Sequence, residues 1–198
     1  MPENPSIIML NTDSDNSDKF EIKITAINIT SKEFGRFYDL YVKRIYRFAY
    51  LKVGSREEAE DLTSETFLKV WDYFSRTPNH KINNIKAFFY QVANNLITDF
   101  YRKKKLIPFS LDQFDGADKL VDSQASEFEK MEKDEEVSRL MSALKNIPEN
   151  YANIIIWYHL EDLEISEIAE ILKKSEGTVR VTIHRALKAL KKELEVTL

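Results

Sequence analysis

The residues of this 198-residue chain best placed to do chemistry run from Ser175 to Arg180, SEGTVR, two residues after the segment ISEIAEIL from Ile165 to Leu172. Ile165, Ile168, Ala169 and Leu172 fall at i, i+3, i+4 and i+7, and Val179, Ile183, Leu187, Leu190 and Leu194 make a second apolar stripe. The spacing predicts two helices joined by a tight turn, a helix-turn-helix. The face opposite the second stripe carries Arg180, Thr182, His184, Arg185 and Lys188, with Ser175 and Thr178 at its start. These side chains can donate hydrogen bonds to phosphate oxygens or base edges, and Ser175 is placed to cap a helix whose N-terminal dipole attracts anions. The same pattern suits a helical hairpin with a solvated basic face, so the motif alone leaves DNA reading and plain surface charge both open.

Other chemistry is poorly supported. Asp61 and Glu65 share a helix face, but no nucleophile, phosphate loop or ligand cluster accompanies them, so no catalytic residue is expected. With no cysteine, and with His80, His159 and His184 far apart, neither a disulfide nor a metal site is expected, and no motif calls for a cofactor or a small-molecule substrate. No apolar run reaches membrane-spanning length and no basic segment precedes an apolar one at the N-terminus, so a cytoplasmic protein without membrane insertion is expected. A hydrophobic content of 43% suffices for packed cores. The net charge of -4 argues against indiscriminate nucleic-acid binding unless the charge is segregated, and it is. From Lys86 to Lys105 only Asp99 opposes Lys86, Arg102, Lys103, Lys104 and Lys105, whereas from Leu106 to Glu136 acidic residues dominate.

The elements that must position these groups are helical. Residues 1–30 form an extension, either partly disordered or a short strand, the latter suited by the period-two alternation from Phe20 to Ile29. Thr30 and Glu33 have capping-box spacing, followed by a helix in which Phe34, Phe37, Tyr38, Tyr41, Val42, Ile45 and Ala49 recur at helical intervals as far as Gly54. Ser55 and Glu58 repeat the box before a second helix that buries Ala59, Leu62, Phe67, Val70, Trp71 and Phe74. Ser75 to Asn84 reads as a loop. A third helix runs from about Ile85 to Lys105, with Asn95, Asp99 and Arg102 on one face and Pro108 as its stop. Residues 31–106 are expected to form one domain, 107–135 an acidic flexible linker, and 136–198 a second domain of four helices with Pro148 at the first position of one of them. The fold class is all-α, two small helical domains.

Four blocks in order carry a more specific signal. They are AEDLTSETF from Ala59 to Phe67 with Trp71; VANNL from Val92 to Leu96 with Asp99 and Arg102; Ile147-Pro148; and EIAE from Glu167, EGTV from Glu176 and HRA from His184. Over about residues 33 to 195 this order resembles the extracytoplasmic-function group, group IV, of the bacterial sigma-70 family. These are promoter-recognition subunits of RNA polymerase that possess only the second and fourth conserved sigma regions.

The resemblance implies roles for particular residues. Asp61, Ser64 and Glu65 would dock on the clamp helices of the polymerase beta-prime subunit, and the second domain would meet the beta flap. The loop ending at Asn84 would capture a base flipped from the minus-ten element, while Asn95, Asp99 and Arg102 hold the strand backbone. Arg102, Lys103 and Lys104 supply charge there and Tyr101 a stacking surface, or else core packing. Ser175, Thr178, Arg180, Thr182, His184, Arg185 and Lys188 would meet the minus-thirty-five element, and an anti-sigma factor is an implied partner. The sequence departs from the family pattern at Ser64 (usually glutamine), Asn94 (often basic), Lys173 and Lys174 (usually a glycine and an apolar turn residue), and Thr182 (frequently arginine). A stand-alone helix-turn-helix regulator, binding duplex DNA without polymerase, is the competing function.

Overall fold

Thr30 opens the first helix by a reciprocal bond. Its hydroxyl accepts from the Glu33 backbone N–H at 3.3 Å and the Glu33 carboxylate accepts from the Thr30 N–H at 2.8 Å, the capping box that the spacing predicts. This helix, α1 (Ser31–Val53), ends at Gly54, whose left-handed φ of 74° lets its N–H reach the Tyr50 carbonyl. The computed structural model describes residues 8–11, 20–25, 29–76, 81–82, 84–106 and 135–196. Helix α2 (Arg56–Arg76) follows, its Glu58 N–H donating to Ser55 Oγ at 3.4 Å, and α3 (Ile85–Leu106) completes a three-helix unit. Phe67 lies at its centre, 4.9 Å from Phe89 and 6.2 Å from Phe34 between ring centroids. Tyr41 stacks obliquely on Phe89 at 5.1 Å, so the three apolar stripes converge on one aromatic core.

The N-terminal extension is more structured than a lone strand. Ile8–Asn11 (β1) pairs antiparallel with Phe20–Thr25 (β2), and β2 pairs antiparallel with Lys81–Ile82 (β3). The segment expected to be a loop from Ser75 to Asn84 therefore starts inside α2 and contains a strand, because a second strand is present to pair with it.

The second unit comprises α4 (Glu135–Asn146), α5 (Glu149–Ile155), α6 (Ile165–Leu172) and α7 (Glu176–Val196). Pro148 takes the N-cap place of α5 rather than its first turn. Beyond Ile155 the helix widens into a π turn over Ile156–Leu160, closed by the Glu161 N–H donating to the Ile156 carbonyl at 3.0 Å. The acidic linker and the stop at Pro108 lie outside the described residues. The two helical domains pack together, α1 on α4 and α3 on α6, and the Phe48 and Trp157 rings meet across the boundary at 5.7 Å. Among the described residues no helix is long and apolar enough to cross a membrane.

Candidate nucleic-acid interface

Helices α6 and α7 form the helix-turn-helix. Glu164 and Glu167 make a capping box at the start of α6, the Glu164 N–H donating to Glu167 Oε2 at 2.7 Å. The turn is made by Lys173 in the left-handed conformation, φ 52°, with its N–H on the Glu170 carbonyl at 3.2 Å and the Lys174 N–H on the Ala169 carbonyl at 3.0 Å. Lysine thus occupies the backbone geometry that glycine adopts without strain. Ser175 caps α7 by accepting from the Thr178 N–H at 3.3 Å. Val179, Ile183, Ala186 and Leu190 are buried, whereas Leu187, expected on the apolar stripe, is exposed.

Ser175, Thr178, Arg180, His184, Arg185 and Lys188 all lie exposed on α7 or at its start. Thr182 is half-buried and its hydroxyl donates to the Thr178 carbonyl at 2.7 Å; Arg180 pairs with Glu176 at 2.8 Å one turn earlier. A DNA acceptor would have to replace the Thr178 carbonyl at the single hydroxyl donor of Thr182, whereas the Arg180 guanidinium keeps further N–H donors free of Glu176. Val181, 51% exposed between Arg180 and Thr182, does not stand out in the sequence. Its one signal is its place off the 179–183 stripe, and an exposed branched aliphatic on such a face suits the methyl group of thymine.

On α3, Asn95, Arg102, Lys103 and Lys104 are exposed and Asp99 is half-buried. Arg102 pairs with Asp99 at 2.9 Å, and Lys104 with Glu58 of α2 at 3.0 Å while lying over the Phe100 ring. Tyr101 is half-buried, its hydroxyl donates to the Lys52 carbonyl, and burial followed by Glu58 pushes its pKa up. The hydroxyl is thereby tied to the end of α1. On α2, Asp61, Ser64 and Glu65 are exposed, Glu65 pairing with Lys69 at 3.2 Å. Leu68, 67% exposed, continues the same face at i+7 from Asp61, so this acidic surface carries an apolar end that the helical periodicity does not announce.

Between the domains lies a buried polar network with no counterpart in the expectations. Glu161 is fully buried and accepts from Arg47 Nε at 2.6 Å, from a second Arg47 nitrogen at 2.9 Å and from the Tyr90 hydroxyl at 2.7 Å. Burial, then the Glu161 carboxylate, pushes the Tyr90 pKa up, while the Glu161 hydrogen bond raises that of Arg47. Asn84 caps α3 through its Oδ1, 2.9 Å from the Ala87 N–H, and gives its amide nitrogen to Glu167 of α6, also at 2.9 Å. Lys86 reaches the same Glu167 at 3.2 Å, and Asn153 of α5 donates to Asn94 Oδ1 at 2.8 Å. The start of α3 is thus engaged by the helix-turn-helix domain.

A family model described as Sigma-70 region 2 matches residues 37–107, and one described as Sigma-70, region 4 matches residues 138–190. The chain is 31% identical over 168 residues to the ECF RNA polymerase sigma factor SigW of Bacillus subtilis, covering 81% of this chain and 88% of SigW. Against the ECF RNA polymerase sigma factor BldN of Streptomyces coelicolor it is 30% identical over 183 residues, 90% of this chain and 66% of BldN. Among solved structures, the sigma factor RpoE in complex with the anti-sigma factor NepR from Bartonella quintana matches with a TM-score of 0.60 at 20% identity, over 83% of this chain and 98% of that one. CnrH in complex with the cytosolic domain of CnrY matches with a TM-score of 0.62 at 17% identity, over 84% and 90%. These two share the fold.

Proposed function

The chain belongs to the extracytoplasmic-function sigma factors of RNA polymerase, and from that premise we propose that it directs core polymerase to promoters in the cytoplasm and helps open them without an active site of its own. The observation that carries this reading is the division of exposed chemistry between the domains. A capped helix presents Arg180, Val181, His184, Arg185 and Lys188, while α2 presents Asp61, Ser64, Glu65 and Leu68 on a different unit. In this reading α7 enters the major groove of the minus-thirty-five element, where each good bidentate contact from a side chain to a base edge is worth about 1–3 kcal/mol of discrimination and phosphate contacts fix the register. The acidic face of α2, with Leu68 at its end, meets a basic polymerase surface on the clamp helices, and the second domain meets the beta flap.

The first domain, residues 31–106, handles the minus-ten element. Extracting a base from its stack costs a few kcal/mol, which contacts to the exposed base and to phosphates must offset. Arg102, Lys103 and Lys104 lie exposed together at the end of α3 and suit the phosphates, with Asn95 and Asp99 along the same helix. Asn84 suits the base edge, once its amide exchanges Glu167 for DNA. Residues 107–134, ahead of α4, tether the two domains, and an anti-sigma factor is a partner of the kind that accompanies RpoE in its complex with NepR.

Transcription reconstituted from the purified chain, core polymerase and genomic DNA, with start sites mapped, tests the proposal. Start sites sharing two upstream elements are the expected result. Specific duplex binding by the chain alone, with no association with core polymerase, would instead identify a stand-alone regulator.

A further inference from the structure

Strand β2 is the centre of a three-stranded sheet, flanked by β1 and by β3 from the connection between α2 and α3. Ile24 lies opposite Ile82 and Thr25 opposite Lys81. A strand of two residues has no stability of its own, so β3 owes its extended geometry to its partner. The join is anchored on both sides: Ile82 is 6% exposed and Ile29, just after β2, is 9% exposed, and both enter the core of the first domain. Two residues beyond Ile82, Asn84 sets the first turn of α3 by capping Ala87. The region 2 match begins at residue 37, so the arm that supplies β1 and β2 is an addition to the matched unit.

We propose that β2 is a positioning strand for minus-ten recognition: by pairing with β3 it fixes the backbone at Lys81 and Ile82, and through it the placement of Asn84, in the conformation that selects an unpaired base. The inference rests on the minus-ten role given above to Asn84 and deepens it. Its physical content is entropic. Lys81 and Ile82 held by β2 present Asn84 to the base with their backbone already fixed, whereas unpaired they must be ordered during binding and selectivity is lost.

The test uses the full chain in three forms, each assembled with core polymerase. One is the natural sequence. The second is Ile24→Pro with Thr25→Pro, since these two residues make the whole ladder with β3 and proline removes their backbone donors. The third is Thr25→Cys with Lys81→Cys, which leaves buried Ile82 untouched; the natural chain has no cysteine, so oxidation yields a single cross-link between β2 and β3. The measurement is the affinity for a single-stranded oligonucleotide carrying a mapped minus-ten sequence, relative to the same strand with its selected base replaced. The proline form should keep its core-polymerase affinity within about twofold and its helical content, yet discriminate about tenfold less, the equivalent of freeing one backbone residue. The oxidised cysteine form should discriminate as well as the natural chain. Undiminished discrimination in the proline form, or loss of oligonucleotide binding on cross-linking with recovery on reduction, overturns the inference; the latter result would make the arm a plug that must leave. If the natural chain itself fails to bind core polymerase, the functional reading falls and this inference with it. If the natural chain binds and selects while the proline form does the same, only the inference falls.

Discussion

Arg47→Ala should separate the two domains without unfolding either. The substitution removes both guanidinium bonds to Glu161, at 2.6 and 2.9 Å, and the bond to the Leu160 carbonyl at 2.9 Å. What is left is a carboxylate with a fully buried side chain that, among the described residues, keeps the Tyr90 hydroxyl as its donor. Breaking one side of a buried ion pair costs about 3–5 kcal/mol. Arg47 is itself 39% exposed, so water screens part of the pairing and the lower end applies: about 3 kcal/mol, or roughly a hundredfold shift toward undocked domains. Docked Glu161 can regain water only by leaving the boundary, so separation is the route by which the cost is relieved. Ser64→Cys and Lys191→Cys, placed on the two domains of a chain without other cysteines, accept a dye pair whose energy transfer should fall in the Arg47→Ala background. Small-angle scattering should show a larger radius of gyration, with helical content unchanged. Replacing the pair together, Arg47→Met with Glu161→Leu, should restore docking, because apolar residues of similar volume remove the need for the pair. Unchanged energy transfer and a cost below about 1 kcal/mol in Arg47→Ala would refute the reasoning, since those are the properties of an exposed ion pair.

Three further expectations follow from the same geometry. Arg185→Ala should weaken promoter binding by about 1–3 kcal/mol while leaving core-polymerase association intact, and Asp61→Lys with Glu65→Lys should do the reverse; equal loss of both activities in either variant, measured by mobility shift and by co-purification, would contradict the assignment of surfaces. Lys173→Gly should raise Tm, with a gain of about 0.5–1 kcal/mol, because the left-handed strain at φ 52° outweighs the added freedom of glycine in the unfolded chain; a lower Tm would mean that the lysine side chain stabilises the turn. Tyr90, Tyr41 and Tyr101 all have pKa values raised, chiefly by burial, so their contribution is fully present below the ordinary tyrosine value near 10 and is lost as pH rises through the folded values. Stability to denaturant should therefore decline above about pH 10, with tyrosinate absorbance appearing together with loss of helix; ionisation of all the tyrosines in the intact fold would show that these three are open to water.

What the sequence discloses about this fold is whatever repeats along it. Phe37, Tyr41, Ile45 and Phe48 in α1, and Val179, Ile183, Ala186 and Leu190 in α7, return to one side every three or four residues, because each faces a core on that side alone. The polar faces repeat for the complementary reason, and so Arg180, His184, Arg185 and Lys188 stand out as candidates from the periodicity of the chain, as do Asp61 and Glu65. Single residues off a stripe escape this logic. Leu68 and Val181 are exposed among polar neighbours, and an alternating count of apolar positions treats each as noise. The domain boundary escapes it more completely. Glu161 stands in HLEDLE, where a carboxylate reads as one more solvated charge, and Arg47 has the same aspect in α1. The burial of Glu161 and its pairing with Arg47 follow from the packing of α1 and α3 against α4 and α6, a contact between segments 114 residues apart that no local period encodes. The π turn belongs with them, since Ile156–Leu160 is apolar enough for an ordinary helix, yet its widening carries the chain to Glu161 at the domain boundary. The surfaces proposed to meet outside partners are thus legible because they are solvated in the free chain and patterned by it, while the contact that closes the chain on itself is made by charges whose partners only the tertiary structure supplies.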